Sequence, residues 1–521
     1  MTGLPNSASR SPSPRARWGS TLRSTQQWWP LAIHLALTVP LASGLNLWLD
    51  EAYTLDTTAH GPARALSQAI RFEIQAPLYF VILSVWRLLS DSILWARLFS
   101  VACAAGLVSL APTLARRWLP ENLRGLLPWM IALHPSVIWS AVETRNYALT
   151  MLLAGALLIR WPDRRQTQPR GHIDPKLIGV AAAGLYTNYF FGFFLAALYS
   201  VDWCLSKSDY RHRLVREAAW IALCFVPLAL CLPDQMRIRD AAIHLESAPE
   251  DSLYRPPTTF VAEVKFAVMK AVGSLSHHLF PSPSSSAWIP ARLLALMSWV
   301  LCLLWPGRSG KALRGEPVSM WNLGWVAWFL VAALLIGDSG LRHATLFVPV
   351  VVLSVATLLA QLKGSRRIWG VAGLFAIYVS CLTVRYEPFA KNGDFIRVAR
   401  WIEQQESSGQ PIFVYDLMDA EAFRYHYKGQ NRVESLPNKA TFQVYHVDNS
   451  RLPSKDALER RLAEIPGNGS LWLVIDTGPI RGIPELTSSF LRLDEMVANR
   501  FHVRLRRTFY GSDVYLLDWK H

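Results

Sequence analysis

Two adjacent carboxylates, Asp50 and Glu51, stand in "NLWLDEAY" directly after an apolar run near 28–48. Glu73 follows in "FEIQAPLYF", then Arg97, then "ETRNYA" (143–148) with Glu143, Arg145 and Tyr147, and much later "DSGLRH" (338–343) with Arg342 and His343. A carboxylate in a poorly solvated pocket can act as general base on a hydroxyl or amine. Arginines can stabilise the charge that develops on a departing phosphate. Arg342 opens an apolar run just after "DSG", so the unpaired amides of a helix N-terminus could serve the same end. The set suits a displacement at carbon: Asp50 activates the nucleophile while Arg97, Arg145 and Arg342 hold a leaving phosphate. A lipid-linked phosphate would supply the donor.

Each residue also has a plainer reading. An acid pair just outside a helix often marks only a solvated interfacial end, and Glu73 could be a surface residue of an amphipathic segment. An arginine at a span end usually snorkels to headgroups. Tyr147, Tyr186 and Tyr189 could belong to an interfacial aromatic belt. His277 and His278 look like a metal pair, yet adjacent loop histidines are usually exposed and unliganded. The joint pattern, rather than any one residue, favours chemistry.

The elements that must position these residues are read from composition. Of 521 residues, 51% are hydrophobic, 22 are Trp and only 17% are charged, as in a membrane protein carrying a soluble part. The formal charge of +15 does not gather on one patch, which speaks against nucleic acid. Basic residues recur in short clusters between apolar runs, the pattern that orients spans. The six cysteines have no CxxC spacing, so neither a disulfide framework nor a zinc site is expected.

A span needs roughly 20 apolar residues. Candidates run near 28–48, 93–114, 124–141, 144–160, 217–233, 287–305, 319–337, 341–361 and 367–384, with 176–205 read as two short spans broken at "YTNYF". All the basic clusters fall on the cytoplasmic side only if Pro77–Leu89 does not cross. At about 13 residues it is too short to span, and becomes an interfacial helix on the outer face. The expectation is an α-helical polytopic membrane protein with about eleven spans, N-terminus cytoplasmic and C-terminus outside. Residues 1–27 form a disordered cytoplasmic tail, 28–385 the transmembrane domain with outer loops 49–92 and 234–286, and 386–521 an outer soluble α/β domain. Under this topology the polar clusters share the outer face.

Within the C-terminal part, "PIFVYD" (411–416) and "LWLVIDT" (471–477) read as buried strands. "DFIRVARWIEQQ" (394–405) and "SKDALERRLAEI" (454–465) read as amphipathic helices, and 506–519 as a hairpin turning at Gly511. No phosphate-binding loop is present here, so an accessory role is expected.

The order "LDEA", "FEIQAPLYFVILSVW", "ARLFSV", "ETRNYAL", "YTNYF" resembles the GT-C superfamily of polyprenyl-phosphate-sugar glycosyltransferases. The branch of protein O-mannosyltransferases and lipid A aminoarabinose transferases is the most similar. The likeness covers about the first 200 residues, and "GLRHATLFVPVVVL" extends it weakly to about 360. The resemblance implies Asp50 as catalytic base, Glu51 as its companion and Glu73 as a second carboxylate near the donor. It implies Arg97, Arg145 and Arg342 at the donor phosphate, and Glu143, Tyr147, Tyr186, Asn188, Tyr189 and His343 as substrate contacts. The sequence departs from the pattern at "APLY" for "PPLY", at Asn188 for histidine and at His343 for tyrosine. The missing histidine weakens any metal reading.

The expectation is therefore an inverting transferase in the inner or plasma membrane. It moves one sugar from a polyprenyl-phosphate donor to a lipid, glycan or protein acceptor on the outer side. No cofactor is implied, and a divalent metal is not supported. Two rivals stand beside it: an oligosaccharide or phospho-group transferase on the same scaffold, and a transporter or flippase of a lipid-linked sugar. Transporters often carry internal repeats and midplane sites, and neither is seen here.

Overall fold

The computed structural model describes residues 28–162, 173–205, 208–244, 341–387, 389–391, 393–415, 417–436, 469–476 and 497–520, with isolated positions at 264–331 and 495. The expected tail 1–27, the spans 287–305 and 319–337, most of loop 234–286 and the helix 454–465 lie wholly or largely outside the described residues.

Helix α1 (Trp29–Gly44) ends at Gly44, and the chain turns through 86° into the short helix α2 (Leu49–Thr58). Asp50 and Glu51, expected in a segment of interfacial helices after the first span, occupy the first turn of α2. Acids are favoured there because they face the unpaired amides of the helix start. Two further short helices, α3 (Pro62–Arg71) and α4 (Leu78–Trp86), complete the segment before α5 (Ile93–Trp118). Helix α4 is the segment expected to lie on the surface. Tyr79, Phe80, Leu83 and Ser84 are buried, while Ile82 and Val85 are exposed. Its end is fastened twice. Trp86 and Trp95 stack at 4.6 Å and exchange indole N–H to carbonyl bonds at 2.8 and 2.9 Å. Arg87 donates to the Leu55 carbonyl and to Thr58 Oγ1, which closes the C-terminus of α2.

Helix α5 is the centre of the bundle. Its alanine-rich face (Ala96, Ala104, Ala111, Ala115) is fully buried and lets neighbouring helices approach closely. Around it pack α1, α6 (Leu126–Leu133), α7 (Pro135–Ala141) and α8 (Tyr147–Arg160). The run 124–141 is thus two helices rather than one span, because Pro135 has no amide to continue α6. The run 176–205 divides as expected, into α9 (Pro175–Thr187) and α10 (Phe191–Leu205). Next come α11 (Ser208–Ala229) and α12 (Leu232–His244), bent by 49°. The 3-10 helix Leu341–Phe347 packs on α8 and leads into α13 (Val348–Gln361), which α14 (Ser365–Tyr386) follows. Among the described residues, three helices are long and apolar enough to cross a membrane, or up to five if each bent pair is one span.

The chain then forms a small α/β unit. Helix α15 (Phe395–Gln405) precedes β1 (Ile412–Tyr415), α16 (Leu417–His426), β2 (Val433–Leu436), β3 (Ser470–Asp476), β4 (Phe501–Phe509) and β5 (Ser512–Trp519). The sheet order is β2-β1-β3-β5-β4; β1 runs parallel to β2 and β3, and β5 antiparallel to β3 and β4. The β4–β5 hairpin turns at Gly511, where φ is +68°, a value glycine adopts without penalty. Strand β1 is buried at every position, as its apolar sequence requires. Helix α16 packs on α2, which brings the α/β unit against the acid pair.

Candidate active site

The site forms at one end of the bundle, from the start of α2, the loop after α3, the turn before α8 and the connector after α14. It has two parts, one enclosed and one open.

The enclosed part centres on Arg97. All five of its N–H groups are spent inside the protein: Nε and one NH2 proton on Glu51, at 2.9 and 2.7 Å, and the others on the carbonyls of Ala42, Leu45 and Asn46. The guanidinium therefore caps α1, whose last carbonyls have no intrahelical partner. Arg97 was expected at the donor phosphate, and here its contacts are with the protein itself. Arg97 is fully buried and has no donor left for a ligand. Glu51, expected to be catalytic, is likewise fully buried and also accepts from the Thr144 amide at 2.9 Å. Burial works against its charge, but Arg97 and Lys391 outweigh it and hold the carboxyl at about 2. Glu143 lies beside it, taking the Trp48 indole N–H and the Lys391 ammonium, the latter at 2.9 Å. Here burial wins and raises the Glu143 pKa, with Lys391 opposing. Glu143, expected as a substrate contact, is thus a member of the enclosed network.

Sequence reasoning missed Lys391. Its ammonium bridges Glu51 at 2.8 Å and Glu143 at 2.9 Å. It lies in a polar stretch hundreds of residues from the acids, and nothing local marks it.

The open part centres on Arg145. One terminal nitrogen donates to Glu73 and to Thr54 Oγ1 at 2.9 Å each, and to the Asp50 carbonyl at 3.3 Å. The other lies 3.9 Å from Asp50 Oδ2. Nε of Arg145 is buried with no partner among the described residues. Glu73 also accepts from Thr57 Oγ1 at 3.3 Å. Burial raises the Glu73 pKa, and Arg145 opposes this. The following residue, Ile74, holds φ +52°. That conformation is strained for a β-branched residue, and such strain gathers at functional sites. Asp50 is more exposed than either neighbouring acid, with 15% of its side chain accessible. Asp50, Glu73 and Arg145 are thus brought together as the sequence suggested, with Asp50 facing outward.

The remaining expected contacts are mixed. Tyr147 is buried and stacks on Trp139 at 4.9 Å. Tyr186 donates to the Cys224 carbonyl at 3.0 Å, and Tyr189 to Gln235 at 2.7 Å, so both hydroxyls tie helices together. Asn188, expected to touch substrate, accepts through Oδ1 from the Phe190 amide and shapes the break between α9 and α10. Arg342 and His343 belong to the 3-10 helix on α8, and their side chains lie outside the described residues.

Among the described residues no group of three His, Cys, Asp or Glu could hold a metal ion. The four carboxylates of this site do not fit one either. The ammonium of Lys391 already sits between Glu51 and Glu143, and Arg145 between Glu73 and Asp50, so a cation would have to displace a cation. His277 and His278 lie outside the described residues.

No family model matches the sequence, and no curated protein does. Solved structures do match. ArnT from Cupriavidus metallidurans bound to undecaprenyl phosphate aligns over 96% of this chain and 98% of its own, at 10% identity and TM-score 0.52. The Archaeoglobus fulgidus oligosaccharyltransferase tethered to an acceptor peptide aligns over 95% of this chain and 74% of its own, at 11% identity and TM-score 0.53. The same enzyme in complex with Zn and sulfate aligns at 12% identity and TM-score 0.50, over 93% and 72%. At such identities the likeness is one of fold: the chain has the GT-C fold.

Proposed function

We propose that the chain is a membrane glycosyltransferase that takes a single sugar from a polyprenyl phosphate and passes it to an acceptor on the outer side. The observation that carries this reading is Arg145, a buried guanidinium set between Asp50 and Glu73 with one N–H unspent, in a chain of GT-C fold. Undecaprenyl phosphate in the matching ArnT structure supports a lipid phosphate as the leaving group.

In this mechanism the acceptor hydroxyl or amine lies against Asp50, which takes its proton as the new bond to the anomeric carbon forms. The polyprenyl phosphate departs from the opposite face, so a single displacement inverts that centre. Arg145 meets the charge developing on the phosphate in a site shielded from water, where such a contact counts for most. Glu73 holds Arg145 in place. Glu51 and Arg97 build the turn that carries Asp50 and touch no substrate. The N-terminus is cytoplasmic and the α/β unit lies outside the membrane.

The deciding experiment reconstitutes the protein in liposomes with radiolabelled polyprenyl-phosphate sugars extracted from its own cells. Label should move to acceptor with the wild type and not with Asp50→Asn. Equal rates would refute Asp50 as base, and the mass gained by the acceptor separates one sugar from an oligosaccharide.

A further inference from the structure

Residues 45–48 join α1 to α2 without regular structure, so their backbone groups need partners elsewhere. Arg97 takes the Leu45 and Asn46 carbonyls. The remaining partners come from the far end of the chain. The Asn46 side chain pairs with the Lys391 backbone in both directions, donating to its carbonyl at 2.5 Å and accepting from its amide at 2.9 Å. The Leu47 amide donates to His426 Nε2 at 2.8 Å. Trp48 donates to Glu143, which Lys391 also holds.

The connector that delivers Lys391 also touches the end of α1. Phe389 holds φ +65°, and its ring lies where any side chain on Gly44 would go, 2.2 Å from an added Cβ. A non-glycine residue keeps such a backbone only where its surroundings impose it. Within the enclosed network two carboxylates, Glu51 and Glu143, face two cations, Arg97 and Lys391. Removing Lys391 leaves a buried negative charge uncompensated, which is the costly way to break such a set.

We infer that Lys391 is a positioning residue: it closes the ion network beneath the 45–51 turn and makes the placement of Asp50 depend on docking of the C-terminal α/β unit. The unit expected to be accessory is thereby part of the site. Only the consequence for turnover rests on the transferase reading; the network can be tested without it.

The experiment compares full-length, detergent-solubilised wild type with Lys391→Met, Lys391→Arg, Glu143→Gln and the double variant Glu143→Gln/Lys391→Met. Amide exchange over 46–54 should quicken by about tenfold or more in Lys391→Met while β1, β3 and β5 keep their protection. Turnover of the labelled lipid-linked sugars should fall by about 10- to 100-fold, with KM for the donor within about twofold of wild type. Lys391→Arg should restore part of both. The double variant removes one charge of each sign and keeps an acceptor for Trp48, so it should outperform Lys391→Met in both readouts. Wild-type protection of 46–54 in a folded Lys391→Met protein overturns the proposal, as does a double variant no better than the single. Should Lys391→Met fail to fold, the double and the arginine variants decide, since the network requires both to recover folded protein. A wild type that turns over no lipid-linked sugar refutes the transferase reading, and the exchange comparison still decides this one.

Discussion

The side chain of Asn46 and the backbone of Lys391 form a reciprocal pair of hydrogen bonds across 345 positions of sequence. The turn that presents Asp50 is therefore held on one side by the helical bundle and on the other by the connector to the α/β unit. Each residue's expected behaviour follows from which side of this arrangement it serves.

Asp50→Asn keeps the size of the side chain and removes the base. Transfer should fall by about 10²- to 10⁴-fold, the usual contribution of a general base. Binding of undecaprenyl phosphate, measured by titration in detergent, should stay near the wild-type value because Arg145 is untouched.

Arg145→Ala should act on the donor instead. Losing a charge-assisted phosphate contact should weaken undecaprenyl phosphate binding by about 10- to 100-fold. Arg145→Lys should recover only part, since an ammonium cannot serve Glu73, Thr54 and a phosphate in the same planar fork.

Arg97→Lys should behave differently from both. A lysine cannot replace five N–H bonds to Glu51, Ala42, Leu45 and Asn46. The expected loss is stability, about 3–5 kcal/mol as for a broken buried pair, read as a lower melting temperature and lower folded yield. Weakened donor binding in a fully stable Arg97→Lys protein would return Arg97 to the phosphate.

His426 sets an acid limit. It accepts from Leu47, so Nε2 carries no proton in the folded state. Burial first, then Arg97, Lys428 and Arg400, lower its pKa to about 4, with Glu51 opposing. An unfolded histidine titrates near ~6.5, so between these values the unfolded chain binds more protons. Its contribution is complete above about 6.5 and declines as pH falls to about 4, by roughly 3 kcal/mol in all. Melting curves across this range should show the decline, and His426→Gln, which accepts without titrating, should flatten it.

A reporter fused after Arg385 should appear outside the cytoplasm, and one fused before Trp28 should appear inside. A cytoplasmic signal at the first position would place the α/β unit on the wrong side for the proposed reaction.

Much of this protein was legible along the chain because it depends on local pattern. Apolar runs and the break at Asn188 show in the sequence, as does the Gly511 hairpin, whereas the division of 124–141 at Pro135 was read through as one span. So does the association of Asp50, Glu73 and Arg145, carried by ordered motifs. What the sequence could not decide was how the charges pair. Arg97 and Arg145 are equally arginines at helix starts, yet one is consumed capping α1 and the other keeps a donor unspent. That difference depends on which carbonyls lie within 3 Å, and only packing sets it. Lys391 and His426 were invisible for the same reason. Their partners Glu51, Glu143 and Leu47 become neighbours only when α16 docks on α2, a long-range contact with no periodic signature in either segment.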